Sequence, residues 1–212
     1  MQHSAKTMKD IALAAGVSVM TVSRSFKSDS SVSEATRSRI RAIAEDLGYV
    51  FDATAANLRT QKTNFVAVTI PSINNANFAD TVGALSDRLA LAGMQVLLGH
   101  SGYDIQQEEV LIAQLLRRRP EAIVVTGGRH TERTRKMLIN AGIPVVETWD
   151  LPQDPIGHVV GFSNAATMAG MVDHLVTKGL MRIAFIGGDT DGDTRGADRR
   201  RGFVAAMAAH GL

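Results

Sequence analysis

Two sets of side chains in this chain of 212 residues could do chemistry. The first is nearly consecutive: Val19, Met20, Thr21, Ser23 and Arg24 place two apolar groups, two hydroxyls and a guanidinium within six residues. The second is dispersed. Ser72, Asn74, Asn77 and Phe78 follow one β-rich run, and His100, Ser101 and Tyr103 follow the next. Arg129 and His130 follow a third, Trp149 and Asp150 a fourth, and Asp189, Arg195 and Arg199 a last one. Guanidinium groups bind carboxylates through two parallel hydrogen bonds. With hydroxyls, imidazoles and a stacking Trp beside them, the second set suits a small polyhydroxylated anion.

The elements that must position the first set are helices. Thr7-Met8-Lys9-Asp10 reads as a capping box with Asp10 in place of the usual Glu or Gln, and Ile11, Ala12 and Ala15 form an apolar face. Gly16 tolerates the left-handed backbone that stops this helix, and Ser18 can cap the next. In that second helix Val22 and Phe26 give an inward stripe and leave Val19, Met20, Thr21, Ser23 and Arg24 facing out, the face that a DNA groove would meet. Ser33 caps a third helix opened by Glu34 and ended by Gly48, whose Ile40, Ile43, Ala44 and Leu47 turn toward the first two. Arg37, Arg39 and Arg41 lie on its other faces, readable either as solvated surface or as phosphate contacts.

From Phe65 the pattern changes to strands alternating with helices. Strands are expected at Val66–Ile70, Gln95–Leu98, Ala122–Thr126, Val145-Val146, Val159–Phe162 and Ile183–Ile186. Helices are expected around Val82–Leu89, Leu111–Leu116, Arg133–Ala141, from Ser163 or Asn164 to Lys178, and from Arg199 onward. Such repetition predicts a doubly wound parallel α/β sheet, which binds ligands outside the carboxyl ends of its strands, where the second set of side chains lies. The expected organisation is a helical unit at 1–50, a connecting segment at 51–64 and an α/β unit at 65–212, with a first subdomain to about 160 and a partial second one.

Composition narrows the function. Net charge is +2, yet residues 1–64 hold nine Lys/Arg against six Asp/Glu and the remainder 14 against 15, so the excess cations gather beside the helices. The absence of cysteine excludes disulfides and thiol catalysis. No apolar run approaches the roughly 18 residues of a membrane span, and a cytoplasmic protein is expected. No phosphate-binding Gly-rich loop, nucleophile elbow or zinc-protease motif occurs, and Gly187-Gly188-Asp189 lacks the spacing of a dinucleotide fingerprint, so neither an enzyme nor a cofactor is expected.

Met8-Lys9-Asp10-Ile11-Ala12, Ala15-Gly16-Val17-Ser18, Thr21-Val22-Ser23-Arg24, Val32-Ser33, Thr36-Arg37 and Leu47-Gly48-Tyr49 together resemble the head of the lac repressor family of bacterial transcription regulators. The resemblance implies a dimeric repressor whose second helix enters the major groove of a palindromic operator. It assigns operator choice to Val19 and Met20, which would meet thymine methyls, and DNA contacts to Thr7, Ser18, Thr21, Ser23, Arg24 and Ser33. Residues 53–58 match the family's hinge helix, with Ala55, Asn57 and Leu58 in the minor groove and Leu58 as the wedge. Six residues do not hold a helix alone in water, so ordering on DNA follows. Where the family usually has Pro, this chain has Phe51.

The remainder resembles the family's effector-binding core, itself similar to sugar-binding periplasmic proteins. Pro71-Ser72-Ile73-Asn74-Asn75 with Phe78-Ala79, His100-Ser101-Gly102-Tyr103, His130-Thr131, Gly142-Ile143-Pro144-Val145-Val146-Glu147 and Val160-Gly161-Phe162 look like the gluconate-type repressors of that family. A sugar-acid effector is implied, gluconate or a ketogluconate, free or phosphorylated. It would meet Ser72, Asn77, Phe78, His100, Tyr103, Arg129, His130, Trp149, Arg195 and Arg199. Family members usually run well beyond Leu212, so a truncated second subdomain, low stability and a weak effector response are expected. Two other readings compete: a cytosolic sugar sensor without DNA, which leaves the helical head unexplained, and a DNA binder made non-inducible by truncation. A response of operator affinity to sugar acids separates them.

Overall fold

The computed structural model describes residues 5–27, 31–51, 62–187 and 194–212, which fall into two compact units, Met1–Gln61 and Lys62–Leu212. The predicted hinge segment, with Ala55, Asn57 and Leu58, lies outside the described residues, as does Asp189.

Among the described residues the first unit holds three helices, α1 (Met8–Ala15), α2 (Val19–Ser25) and α3 (Glu34–Asp46). Its start follows the capping box: the Asp10 carboxylate accepts from the Thr7 backbone N–H at 2.8 Å and from the Thr7 hydroxyl at 2.9 Å. Gly16, at φ 62°, is the left-handed residue that ends α1. Ser18 and Ser33 cap α2 and α3, accepting from the backbone N–H of Thr21 and Thr36. Ile11, Ala12, Ala15, Val22, Ile40 and Ala44 form the core. Arg37 is buried instead of facing solvent or phosphate. Its guanidinium donates to the carbonyls of Ser25 and Lys27, so it closes the carboxyl end of α2, where unpaired carbonyls and the negative dipole end collect. Phe26 stacks on Phe51 with centroids 4.8 Å apart, anchoring the last described residue of this unit to the end of α2.

Asp10 gives the first expected outcome. The hydrogen bonds from Thr7 hold its carboxyl below 3.8, its ordinary value. The anion therefore contributes to folding above that pH, and the contribution is lost as pH falls through the lowered value. Acid titration of this unit's melting temperature should show a drop below about pH 4 that Asp10→Asn flattens; an unchanged acid limb in Asp10→Asn would exclude the capping box as its source.

The second unit is a parallel sheet of β1 (Phe65–Ile70), β2 (Gln95–His100), β3 (Ala122–Thr126), β4 (Val145–Thr148) and β5 (His158–Val160), in the order β2-β1-β3-β4-β5. Between the strands run α4 (Ala76–Ala90), α5 (Ile105–Leu116) and α6 (Glu132–Ile139); α7 (Asn164–Thr177) and α8 (Thr194–Ala209) follow. Alternate strand residues serve opposite faces. Ala67, Ile123, Val125 and Val145 pack with Ile112, Leu115 and Leu138 from α5 and α6, whereas Val66, Val68, Ile70 and Val124 pack with Phe78 from α4. Because both faces are covered, the strands read as continuous apolar runs.

Two expectations fail here. Residues 181–187 form no strand although Ile183–Ile186 has strand composition; no described strand offers them a hydrogen-bonding edge, and Ile186 is fully exposed. The last helix starts at Thr194 and not at Arg199, because Arg195 and Gly196 turn inward and carry the helix back by one turn. Gly202 makes the α7–α8 crossing close: a Cβ there would sit 2.1 Å from the Ala165 carbonyl oxygen.

Candidate nucleic-acid face and ligand cleft

On α2, Val22 and Ser25 turn inward, while Val19, Met20 and Arg24 are exposed, with Met20 keeping 61% of its surface. Thr21 and Ser23 lie at the edge of this face, and the Ser18 and Thr21 hydroxyls are 2.9 Å apart. Thr7 and Ser33, the caps of α1 and α3, are exposed too. An apolar group projecting from a helix with a guanidinium one turn on can press a methyl group in a groove while the cation meets the backbone.

In the second unit a cleft of about 390 Å³ opens at the carboxyl ends of the strands. The chain leaves β1 toward β2 on one side and returns to β3 on the other, so the ends of β1 and β3 diverge there, as such sheets require for a ligand site. Six of the ten expected residues meet in this cleft: Asn77, Phe78, Tyr103, Trp149, Arg195 and Arg199. Trp149 stands edge-on to Phe78 at 5.5 Å and to Phe162 at 6.2 Å, giving an aromatic wall. The Arg195 guanidinium lies over the Phe78 ring, 5.5 Å from its centroid, a cation–π contact. Arg199 donates to the Asn164 side chain at 2.8 Å. Of the described residues lining the cleft, the charged ones are these two arginines. Tyr103 and Trp149 both hold left-handed backbone, φ 65° and 66°, a conformation that costs roughly 1–3 kcal/mol in a bulky residue and recurs at binding sites.

The other four expected residues lie elsewhere. Ser72 turns back to accept from the Asn74 N–H, His100 is exposed at the end of β2, and Arg129 lines a smaller pocket beside the main cleft, together with Arg195. His130 points into the protein, its Nδ1 2.8 Å from a Glu108 carboxylate oxygen and its Nε2 4.0 Å from Glu147, in a buried polar cluster that joins α5, the loop between β3 and α6, and β4. Sequence reading missed Asn75, Phe162, Asn164, Thr167, Met168 and Met171. The signal for Asn164 was the β5–α7 junction, where a capping Ser163 places the next side chain at the strand ends.

The chain thus joins a three-helix unit, with an exposed face on α2, to a parallel α/β unit with a cleft bordered by two arginines. The family model described as bacterial regulatory proteins, lacI family, matches residues 7–52, and that described as periplasmic binding proteins and sugar binding domain of LacI family matches residues 63–212. This chain belongs to the LacI family. The HTH-type transcriptional regulator GntR of Pseudomonas aeruginosa is 35% identical over 202 residues, covering 94% of this chain and 59% of that protein. The HTH-type transcriptional regulator IdnR of Escherichia coli is 32% identical over 212 residues, covering all of this chain and 64% of that protein. A crystal structure of a LacI family transcriptional regulator from Silicibacter pomeroyi superposes with a TM-score of 0.91 at 35% identity, over 98% of this chain and 62% of that one. The chain thus spans about three fifths of the length of its relatives. Among the described residues no helix is long and apolar enough to cross a membrane.

Proposed function

We propose that this chain carries the operator-reading head and the effector cleft of a cytoplasmic transcriptional repressor that binds a palindromic operator as a dimer and is released by a sugar acid of the gluconate type. The observation that carries the reading is the outward face of α2, where Val19 and Met20 stand exposed beside Arg24 while the inward residues close the helical core. In this reading Val19 and Met20 choose the bases, and Thr7, Ser18, Thr21, Ser23, Arg24 and Ser33 hold the backbone. Ala55, Asn57 and Leu58 enter the minor groove between the two half-sites.

The cleft supports the second half. A carboxylate suits the arginine wall, and hydroxyls suit the amides of Asn75, Asn77 and Asn164 beside an aromatic surface. Coupling is reciprocal: whatever factor the sugar acid takes from operator affinity, the operator takes from sugar-acid affinity.

Selection from a randomised duplex library, followed by binding at several salt concentrations, tests the head. Each phosphate neutralised contributes roughly 0.9 to the slope of log affinity against log salt. Arg24→Ala, which removes one phosphate contact from each of the two heads, is expected to flatten that slope by about two units and weaken all duplexes alike, whereas Met20→Ala changes which duplex is preferred and leaves the slope unchanged. Operator preference indifferent to Met20, or no duplex retained at low salt, refutes the reading.

A further inference from the structure

The turn between α5 and β3 carries three consecutive arginines, Arg117, Arg118 and Arg119, all exposed. It lies at the amino end of the parallel strands, opposite the cleft. Its backbone is tied down on both sides. The N–H groups of Arg118 and Arg119 donate to the Leu115 and Leu116 carbonyls at 2.9 and 3.0 Å, and Arg119 holds left-handed backbone at φ 52°. After the buried Pro120, the Glu121 N–H donates to the Phe65 carbonyl at 2.8 Å.

The same turn receives the start of the α/β unit. The Thr63 hydroxyl donates to the Arg119 carbonyl at 2.8 Å, and one Glu121 carboxylate oxygen accepts from the N–H groups of Thr63 and Asn64 at 3.1 and 2.8 Å. Lys62, also exposed, therefore adds a fourth cation beside the three arginines. Glu121, the acid next in sequence, pairs with backbone N–H groups instead of a guanidinium. No ion pair or side-chain hydrogen bond joins any of the four cations to a described residue.

Four solvated cations on a fixed backbone, with no acid among them, suit a polyanion, and the guanidinium fork matches phosphate oxygens. Duplex DNA is the polyanion that the covalent connection favours. The polypeptide that leaves the head enters the α/β unit at Lys62, so a duplex held by the head is tethered at this end of the sheet. We propose that Lys62, Arg117, Arg118 and Arg119 form a second DNA-contact surface, which meets backbone phosphates flanking the base pairs that α2 reads. Such contacts add affinity without adding sequence preference. This rests on the reading of the head as a duplex binder.

The test compares the unaltered 212-residue chain with the triple variant Arg117→Gln, Arg118→Gln, Arg119→Gln on two duplexes. One is the selected operator trimmed to its ends, and the other carries about 15 further base pairs of arbitrary sequence on each side. On the longer duplex the variant is expected to flatten the slope of log affinity against log salt by at least about two units, one phosphate for each α/β unit of the dimer, and to bind more than about tenfold more weakly at low salt. On the trimmed duplex the two chains should behave alike. Arg133→Gln removes an exposed cation that pairs with Glu109 at the other end of the sheet, and it should leave both slopes in place. A further readout needs no variant: ethylation of phosphates outside the trimmed operator should hinder binding of the unaltered chain. Equal slopes for variant and unaltered chain on the longer duplex, an equal loss on both duplexes, or flanking ethylation without effect overturns this surface and leaves the reading of the head standing. If the unaltered chain retains neither duplex at low salt, both fall.

Discussion

Replacing Ile11 with alanine is expected to abolish duplex binding while leaving ligand binding by the α/β unit intact. Ile11 is fully buried in the centre of the three-helix core, against Val22 and Ile40. Deleting its outer carbons removes burial and leaves a cavity, which together cost about 2–5 kcal/mol. A core this small supplies only about 3–5 kcal/mol of net stability, so the substitution consumes most of what holds the unit folded. The measurement is a pair of readouts on one sample, duplex binding by anisotropy and gluconate binding by calorimetry, with Leu13→Ala as the control. Leu13 sits on the same helix at 86% exposure and should change stability by no more than about 0.5 kcal/mol. Retained duplex affinity in Ile11→Ala would mean that the reading face does not depend on this core.

The second large effect is expected at Gly202. Alanine there places a methyl carbon 2.1 Å from the Ala165 carbonyl oxygen, a backbone atom that cannot rotate aside. The helices α7 and α8 must separate, at a cost of about 3 kcal/mol, at the upper end of the usual range for overpacking. Because Arg199 lies one turn away, the same movement takes its guanidinium off Asn164, so gluconate affinity should fall together with the melting temperature. Gly170→Ala is the internal comparison: it lies in α7 with nothing within 4 Å of the added carbon, and replacing a helical glycine there should raise stability by up to about 1 kcal/mol. If Gly202→Ala behaved like Gly170→Ala, the close crossing would not be a packing constraint.

Much of the fold could be read from the chain because several levels of signal agree. The runs at 65–70 and 122–126 are unbroken β-branched and apolar stretches because helices cover both faces of the sheet. Ser18, Ser33 and Ser163 mark helix starts because each hydroxyl takes an N–H that the helix leaves unpaired. The misreadings have one physical origin, which is that side-chain type does not reveal its partner. Ile183–Ile186 has the residues of a strand but no described neighbour to pair with. Arg37 and His130 look like surface or ligand groups by type, yet one closes a helix end and the other is hydrogen-bonded to the buried Glu108 carboxylate, contacts that arise from segments 10 to 22 residues away. Asn164 is the reverse case, a residue that reads as an ordinary helix start and is placed in the cleft only by the convergence of β4, α7 and α8.

The stacked rings of Phe26 and Phe51 bear on how heads can be exchanged between regulators of this family. Where a pyrrolidine ring would stiffen the exit by restricting a single backbone torsion, this chain uses a contact between residues 25 positions apart, so the two halves of that contact must travel together in any chimera. A splice made before residue 51 would strand Phe26 without its stacking partner, and one made after it would transplant the head with its own fastening.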